Sequence, residues 1–228
     1  MTLLIATGLR REARLMAGPG IVVIAGGGDV ARIERELDAL AAEASAMMSS
    51  GLAGALDPAL RPGDVVIGTG CADVAASVAN DVLVGAIAER LPEAHHGLVA
   101  ASDRPVARAA DKQALRVETG ALAIDMESHI VARVAARHGL PFVALRVISD
   151  DSTTTLPPAA LAGMRPDGRI AIGSVLTSLA RQPGQLPSLF RTARDAGHAF
   201  QVLGRVHDVL RRGGIGRLDP GKLPFDMA

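Results

Sequence analysis

Apolar residues gather in short runs at 2–6, 21–25, 64–70, 121–124 and 142–148, bounded by turn residues, and this pattern predicts strands. Between them the apolar positions recur at helical spacing. In 30–44, Ile33, Leu37, Leu40 and Ala41 take one face, and Arg32, Glu34, Arg35 and Glu36 the other. Residues 80–91 read as a helix through Val82, Val84, Ile87 and Leu91, and 95–103 as a strand and turn. In 127–138, Ile130, Val131, Val134 and Ala135 repeat the helical pattern, and Gly139 and Pro141 stop it. The stretch 121–148 is therefore expected to be a strand–helix–strand unit with parallel strands. Both strands run into acid-bearing turns, Asp125-Met126-Glu127 and Ser149-Asp150-Asp151. Parallel strands would bring both turns to one sheet edge, where open α/β folds bind ligands. Two carboxylates converging there suit general acid–base work. The same residues also suit a helix N-terminus and a turn cap, and spacing alone does not choose between the two. Beyond 155 a Pro157-Pro158 turn leads to helical stretches at 167–180 and 185–212, with no repeat or low-complexity linker. The expected organisation is one domain over 1–180 and a helical basic tail over 181–228.

Composition narrows the function. With 228 residues, 49% of them hydrophobic, the chain can bury one sizeable core. Lys+Arg and Asp+Glu both total 24, and this balance argues against a general nucleic-acid binder. Cys71 is the single cysteine, so no internal disulfide forms. No apolar run approaches the roughly 18 residues of a membrane span, and no basic segment precedes the first apolar run, so a cytoplasmic protein is expected. Trp and Tyr are absent and Phe numbers four, which makes a base-stacking platform thin. His95 and His96 diverge on a strand and read as a solvated pair rather than metal ligands. Gly26 to Ala31 fits a dinucleotide-type G-x-G-x-x-A turn. The acid such a site needs about 20 residues on is missing, since Glu43 lies in a helix and Asp57 in a proline turn. Neither metal nor organic cofactor is expected.

Met126-Glu127 and Arg146-Val147-Ile148-Ser149-Asp150, with a helix between them, resemble the purine nucleoside phosphorylase and methylthioadenosine/S-adenosylhomocysteine nucleosidase superfamily. The resemblance covers about residues 1–180. It implies a three-layer α/β nucleoside phosphorylase-like fold, a mixed central sheet flanked by helices, here extended by a helical C-terminal tail. It also implies catalytic roles. Asp150 is the general acid that protonates N7 of a leaving purine, supported by Ser149, and it must hold a proton before it can give one. Glu127 holds the ribose hydroxyls and stabilises a cationic ribosyl group. Glu12 matches the glutamate that positions and deprotonates the attacking water. Met126, Ser149, Gly51, Ala53, Gly54 and Arg146 are the implied substrate-binding set, with Arg146 expected to order its strand end. Ser50 to Leu56 resembles the superfamily's Gly-Ser-Ala-Gly-Gly-Leu loop, but Leu52 replaces its ligand-binding serine. Ser49 stands where bacterial phosphorylases keep an arginine for phosphate, and Pro105 stands near the place of a base-stacking Phe.

Within the superfamily, Leu9-Arg10-Arg11-Glu12-Ala13, Asp125 to His129, Leu156 to Ala160 and Gln185-Leu186-Pro187 are most similar to the hopanoid-associated phosphorylases. The implied reaction is loss of adenine from adenosylhopane to give ribosylhopane, by hydrolysis rather than phosphorolysis. A phosphorolytic enzyme, a non-catalytic nucleoside or lipid-head-group binder, and an NAD-dependent oxidoreductase resting on the glycine turn alone are the rival readings. A homo-oligomer is implied by the same resemblance. From 181 to 217 seven arginines face only Asp195 and Asp208, interspersed with Leu186, Leu189, Phe190, Ala193, Phe200, Val202, Leu203, Val206 and Leu210. Such a segment suits an anionic membrane surface, or packing against the core.

Overall fold

The computed structural model describes residues 2–26, 29–72, 74, 79–163 and 171–217. In chain order they form β1 (Leu3–Thr7), α1 (Arg10–Met16), β2 (Ile21–Ala25), α2 (Val30–Leu40), β3 (Ala46–Ala55), β4 (Val65–Cys71), α3 (Asp81–Ala88) and β5 (His95–Ala101). Then follow α4 (Ala109–Thr119), β6 (Ala123–Asp125), α5 (Ser128–His138), β7 (Phe142–Asp150), α6 (Pro158–Ala162), α7 (Ile172–Arg181) and α8 (Leu186–Arg212).

β3 is the strand on which the rest depends. It is ten residues long, twice the length of β1, and pairs with three others. β1 lies beside residues 46–49, β7 runs parallel along 47–54, and β6 takes over antiparallel at Gly54 and Ala55. The sheet order is β2-β1-β3-β6-β5-β4-β7, and the additional β3–β7 pairing closes β3, β6, β5, β4 and β7 into a ring. Closure removes most free edges. Both faces of β3 are covered, so its apolar residues run without alternation. Met47 packs with Leu37, Ile130 and Val134 beneath α2 and α5. Met48 packs with Leu83, Val143, Leu203 and Leu210 beneath α3 and α8. This is the expected α/β arrangement of a mixed sheet between helical layers. Among the described residues no helix is long and apolar enough to cross a membrane.

Helix ends follow local chemistry. Asp29 and Asn80 accept from the backbone N–H three residues on and cap α2 and α3. Gly139 ends α5 at φ 63°, a left-handed conformation that glycine adopts without strain.

Several expectations need correction. β6 and β7 are not neighbours and do not run parallel. Both lie beside Gly54 of β3, in opposite senses, so 121–148 is not a parallel strand–helix–strand unit. The cause is the length of β3: past Ser49 it has outrun β1, and β6 fills the open side. Residues 50–55, expected as a glycine loop, are extended strand, because flanking strands hold them on both sides. α4 carries no expectation from the sequence at all. In the tail, Ala199, Phe200, Leu203, Val206 and Leu210 are buried as α8 packs on β3 and β7, so this half of the helix belongs to the core. The expected helix at 167–180 is seen from Ile172; its first residues, Gly27 and Gly28 of the glycine turn, and 218–228 lie outside the described residues.

Candidate active site

Arg146 organises the site. Its side chain is wholly buried on β7, which a cation tolerates only with partners on every side. Nε lies 2.7 Å from Asp125 Oδ2. Nη2 donates to Ser49 Oγ of β3 and, at 3.1 Å, to Ser128 Oγ at the start of α5. Asp125 in turn accepts from the backbone N–H groups of Glu127 and Ser128, both at 2.8 Å, and from Ser128 Oγ at 2.5 Å. The acid turn is thereby folded around the guanidinium. Nη1 has no hydrogen-bond partner among the described residues and lies 4.0 Å from Glu127 Oε2.

Glu12 reaches the same place from α1. Its Oε2 accepts from Leu9 N at 2.8 Å and its Oε1 from Leu52 N at 2.9 Å. Leu52 therefore takes part through its backbone. Gly51 is what keeps this corner open. A Cβ there would fall 3.0 Å from Arg146 Nη1 and 3.0 Å from Glu12 Cδ and Oε1. Gly8 does the same for Glu127, whose Oε1 would stand 3.0 Å from a Cβ.

Burial raises the pKa of Glu12, against hydrogen bonds from Leu52, Leu9 and Gly8 and the charge of Arg146. Burial also pushes Glu127 up to about 8; Arg146 opposes this, while Asp125 and Glu12 push it further. The cluster thus resists holding all its negative charge until a positive charge arrives.

Four residues beyond Arg146, Asp150 ends β7. Its Oδ1 accepts from Ser149 Oγ at 2.6 Å, and that hydroxyl also lies 3.1 Å from the Ala53 carbonyl. Its Oδ2 accepts from Lys112 Nζ of α4. Lys112 is wholly buried, and Nζ also donates to the carbonyls of Asp151 at 2.8 Å and Thr154 at 3.0 Å. What Asp150 meets is thus a buried ammonium. Gly54 passes close enough that a Cβ would lie 3.2 Å from Asp150 Oδ2.

Of the residues singled out from the sequence, Glu12, Glu127, Arg146 and Gly51 form one group, and Asp150, Ser149 and Gly54 a second, joined by β7. Ala53 turns its methyl into the core and offers only its carbonyl. Met126 is half-buried in the acid turn and contributes its backbone to Glu127. Asp125, Ser128 and Lys112 were missed. Asp125 and Ser128 sit inside the quoted motif without a role. For Lys112 one signal existed: it and Lys222 are the only lysines in a chain with 24 Lys+Arg.

A sequence profile of the phosphorylase superfamily matches residues 13–162, well over half the chain and including both acid turns. The chain belongs to the phosphorylase superfamily. It is therefore an enzyme of the nucleosidase or nucleoside phosphorylase type, as the sequence resemblance implied. No curated protein sequence matches it. Solved structures share its fold at low identity. A 5′-methylthioadenosine/S-adenosylhomocysteine nucleosidase from S. pneumoniae with a transition-state inhibitor aligns at TM-score 0.61 and 20% identity, covering 92% of this chain and 100% of that one. An S-adenosylhomocysteine nucleosidase from Streptococcus pyogenes aligns at TM-score 0.60 and 17% identity, over 90% and 95%. Futalosine hydrolase of Helicobacter pylori aligns at 0.59 and 19%, over 80% and 98%.

His129 Nε2 lies 2.8 Å from Asp103 Oδ1, tying α5 to the turn that leads to Pro105. An open recess of about 530 Å³ is lined by Pro62, Asp151, Arg191, Arg194, Asp195 and His198, and not by Glu12, Glu127 or Asp150. His95 stands 3.9 Å from Asp64, and among the described residues no group of three or more His, Cys, Asp or Glu side chains could hold a metal ion.

Proposed function

We propose that the chain is a nucleosidase that hydrolyses the N-glycosidic bond of an adenine nucleoside, with adenosylhopane as substrate and adenine and ribosylhopane as products, a step in hopanoid biosynthesis. Arg146 Nη1 carries the hydrolytic reading: a buried donor without a partner among the described residues, bordered by Glu12 and Glu127. A neutral water fits such a corner, accepting from Nη1 and donating to Glu12. A phosphate dianion would meet Glu12, Glu127 and Asp125 around one guanidinium. Leu52 offers it no hydroxyl, and Ser49 is committed to Arg146.

The steps follow from this arrangement. Asp150 passes a proton to N7 as the C1′–N9 electron pair leaves with adenine. Glu127 holds the ribose hydroxyls, and once it has released its proton to solvent its carboxylate faces the positive charge growing at C1′. Its contribution is therefore larger in the transition state than in the ground state. The water on Nη1 gives a proton to Glu12 and attacks C1′.

A lipid-linked substrate is supported by the surface of α7 and the first half of α8. Ile172, Leu176, Leu186 and Phe190 are exposed there, and residues 172–194 contain Arg181, Arg191 and Arg194 but no acid. This face suits an anionic membrane, so the reading includes a homo-oligomeric cytoplasmic enzyme working at the inner membrane surface. The test is to incubate the protein with adenosine and 5′-substituted adenosines, with and without phosphate, and to identify both products. Free adenine with a free ribosyl product, independent of phosphate, is expected, and Asp150→Asn should slow release by about 10²–10⁴-fold. Strict phosphate dependence with a ribose-1-phosphate product refutes hydrolysis. Absence of adenine from every nucleoside refutes the reading as a whole.

A further inference from the structure

Lys112 is a buried charged group that the proposed chemistry has not used. A lysine ammonium is among the costliest side chains to bury, and here it has no exposed surface. All three of its protons are spent within one turn of chain, on Asp150 Oδ2, the Asp151 carbonyl and the Thr154 carbonyl. Its position is also particular in composition. Arginine supplies every other described cation of the Lys/Arg type, and arginine is the usual choice for a buried ion pair. A compact ammonium converging on three oxygens is a geometry that a planar guanidinium does not reproduce.

We propose that Lys112 is the positioning residue of the general acid: it holds Asp150 at the end of β7 and stabilises the carboxylate that remains when the proton has gone to the base. The proposal rests on the nucleosidase reading above. In the step it serves, the O–H bond of Asp150 breaks, its proton forms the new N–H bond on the base, and the C1′–N9 pair leaves with the base. One negative charge is left on Asp150. Lys112 Nζ donates to Oδ2 throughout and changes neither protonation nor bonding. Ser149 holds Oδ1, so each carboxylate oxygen is oriented by one donor. Among the described residues Lys112 is the cation paired with Asp150. β3 presents Gly54. The following turn presents Asp151, whose carboxylate accepts from Thr153 N and Oγ1. Arg146, on the same strand, is engaged by Asp125, Ser49 and Ser128. Lys112 is thus the group that sets the charge of Asp150's surroundings.

The test compares wild type, Lys112→Met and Lys112→Gln on two substrates: adenosine, whose leaving base needs a proton, and p-nitrophenyl riboside, whose leaving group does not. Lys112→Met fills the same volume without charge, and Lys112→Gln keeps an amide donor. Cleavage of adenosine in the acidic plateau of the pH–rate profile should fall about 10–100-fold. The loss should fall on kcat, with KM for adenosine changing less than about threefold, because Lys112 bonds Asp150 and its neighbours rather than the substrate. Cleavage of p-nitrophenyl riboside should change less than threefold, approximately the scatter of a remote substitution. If both substrates lose activity in parallel, or the loss on adenosine lies in KM rather than kcat, Lys112 is only structural and the proposal fails. Should Lys112→Met not fold, Lys112→Gln carries the same comparison. A wild-type protein that cleaves neither substrate overturns the nucleosidase reading itself, a result distinct from any difference between variants.

Discussion

Replacing Glu127 by Gln should make the protein more stable and less active, with the gain in stability growing as pH rises. The carboxyl is buried and pushed up to about 8 from an ordinary 4.5. Between those values the folded state holds a proton that the unfolded chain has released. Folding stability contributed by this group is therefore complete below about pH 4.5 and is lost as pH climbs to about 8. A shift of 3.5 units, at 1.36 kcal/mol each, sets an upper bound of about 5 kcal/mol. Because Glu12, Asp125 and Arg146 share the same field, about 2–5 kcal/mol is the working range. Gln has the same shape and never ionises. In urea melts from pH 5 to 9, wild type should lose stability up to about pH 8 and then level off, while Glu127→Gln stays nearly level throughout. The difference at pH 9 corresponds to roughly 4–20 °C in Tm for a chain of this size. Adenine release, by contrast, should fall about 10²–10³-fold, since a neutral amide cannot stabilise the ribosyl cation. Parallel melts for the two proteins across this pH range would refute the assignment of Glu127 as a carboxyl that folding keeps protonated.

His207 should produce the opposite pH signature, because its ring is buried against Ser50, with Nε2 2.9 Å from Oγ, and its pKa is lowered to about 4 by burial and by Arg211, against the pull of Asp208. The unfolded chain takes up its proton first, so about 3 kcal/mol of stability present above pH 6.5 should disappear as pH falls to 4. That loss should be absent in His207→Gln, as melts from pH 7 to 4 would show. The proposed membrane face is tested on the surface alone, since removing α8 would strip Leu203, Val206 and Leu210 from the core. Co-sedimentation with anionic liposomes in low salt should be weakened by the triple change Ile172→Ser, Leu176→Ser, Phe190→Ser, with adenosine cleavage unaltered. Equal binding by both proteins, or by neither, would remove the membrane role.

The sequence alone determined the elements whose signals are local. The 3.6-residue repeat of α5, its stop at Gly139 and the apolar run of β7 depend on side chains within a few positions of one another, and each appears in the structure within a few residues. The motif carrying Glu127, Arg146 and Asp150 was legible too, because the residues at issue lie along consecutive elements. What only the tertiary structure decided is how distant strands pair. Strand pairing depends on who lies alongside, and a periodicity cannot say whether 121–125 joins 142–150 or the far half of a long β3. That choice closes the ring and carries Ser49 to Arg146 across 97 positions. It also leaves room at Asp150 for α4, whose Lys112 lies 38 positions upstream. The glycines at 51 and 54 read as part of a loop in sequence. In the folded chain they are places where backbone must pass a carboxylate too closely for a Cβ, a requirement that exists only once the strands are side by side.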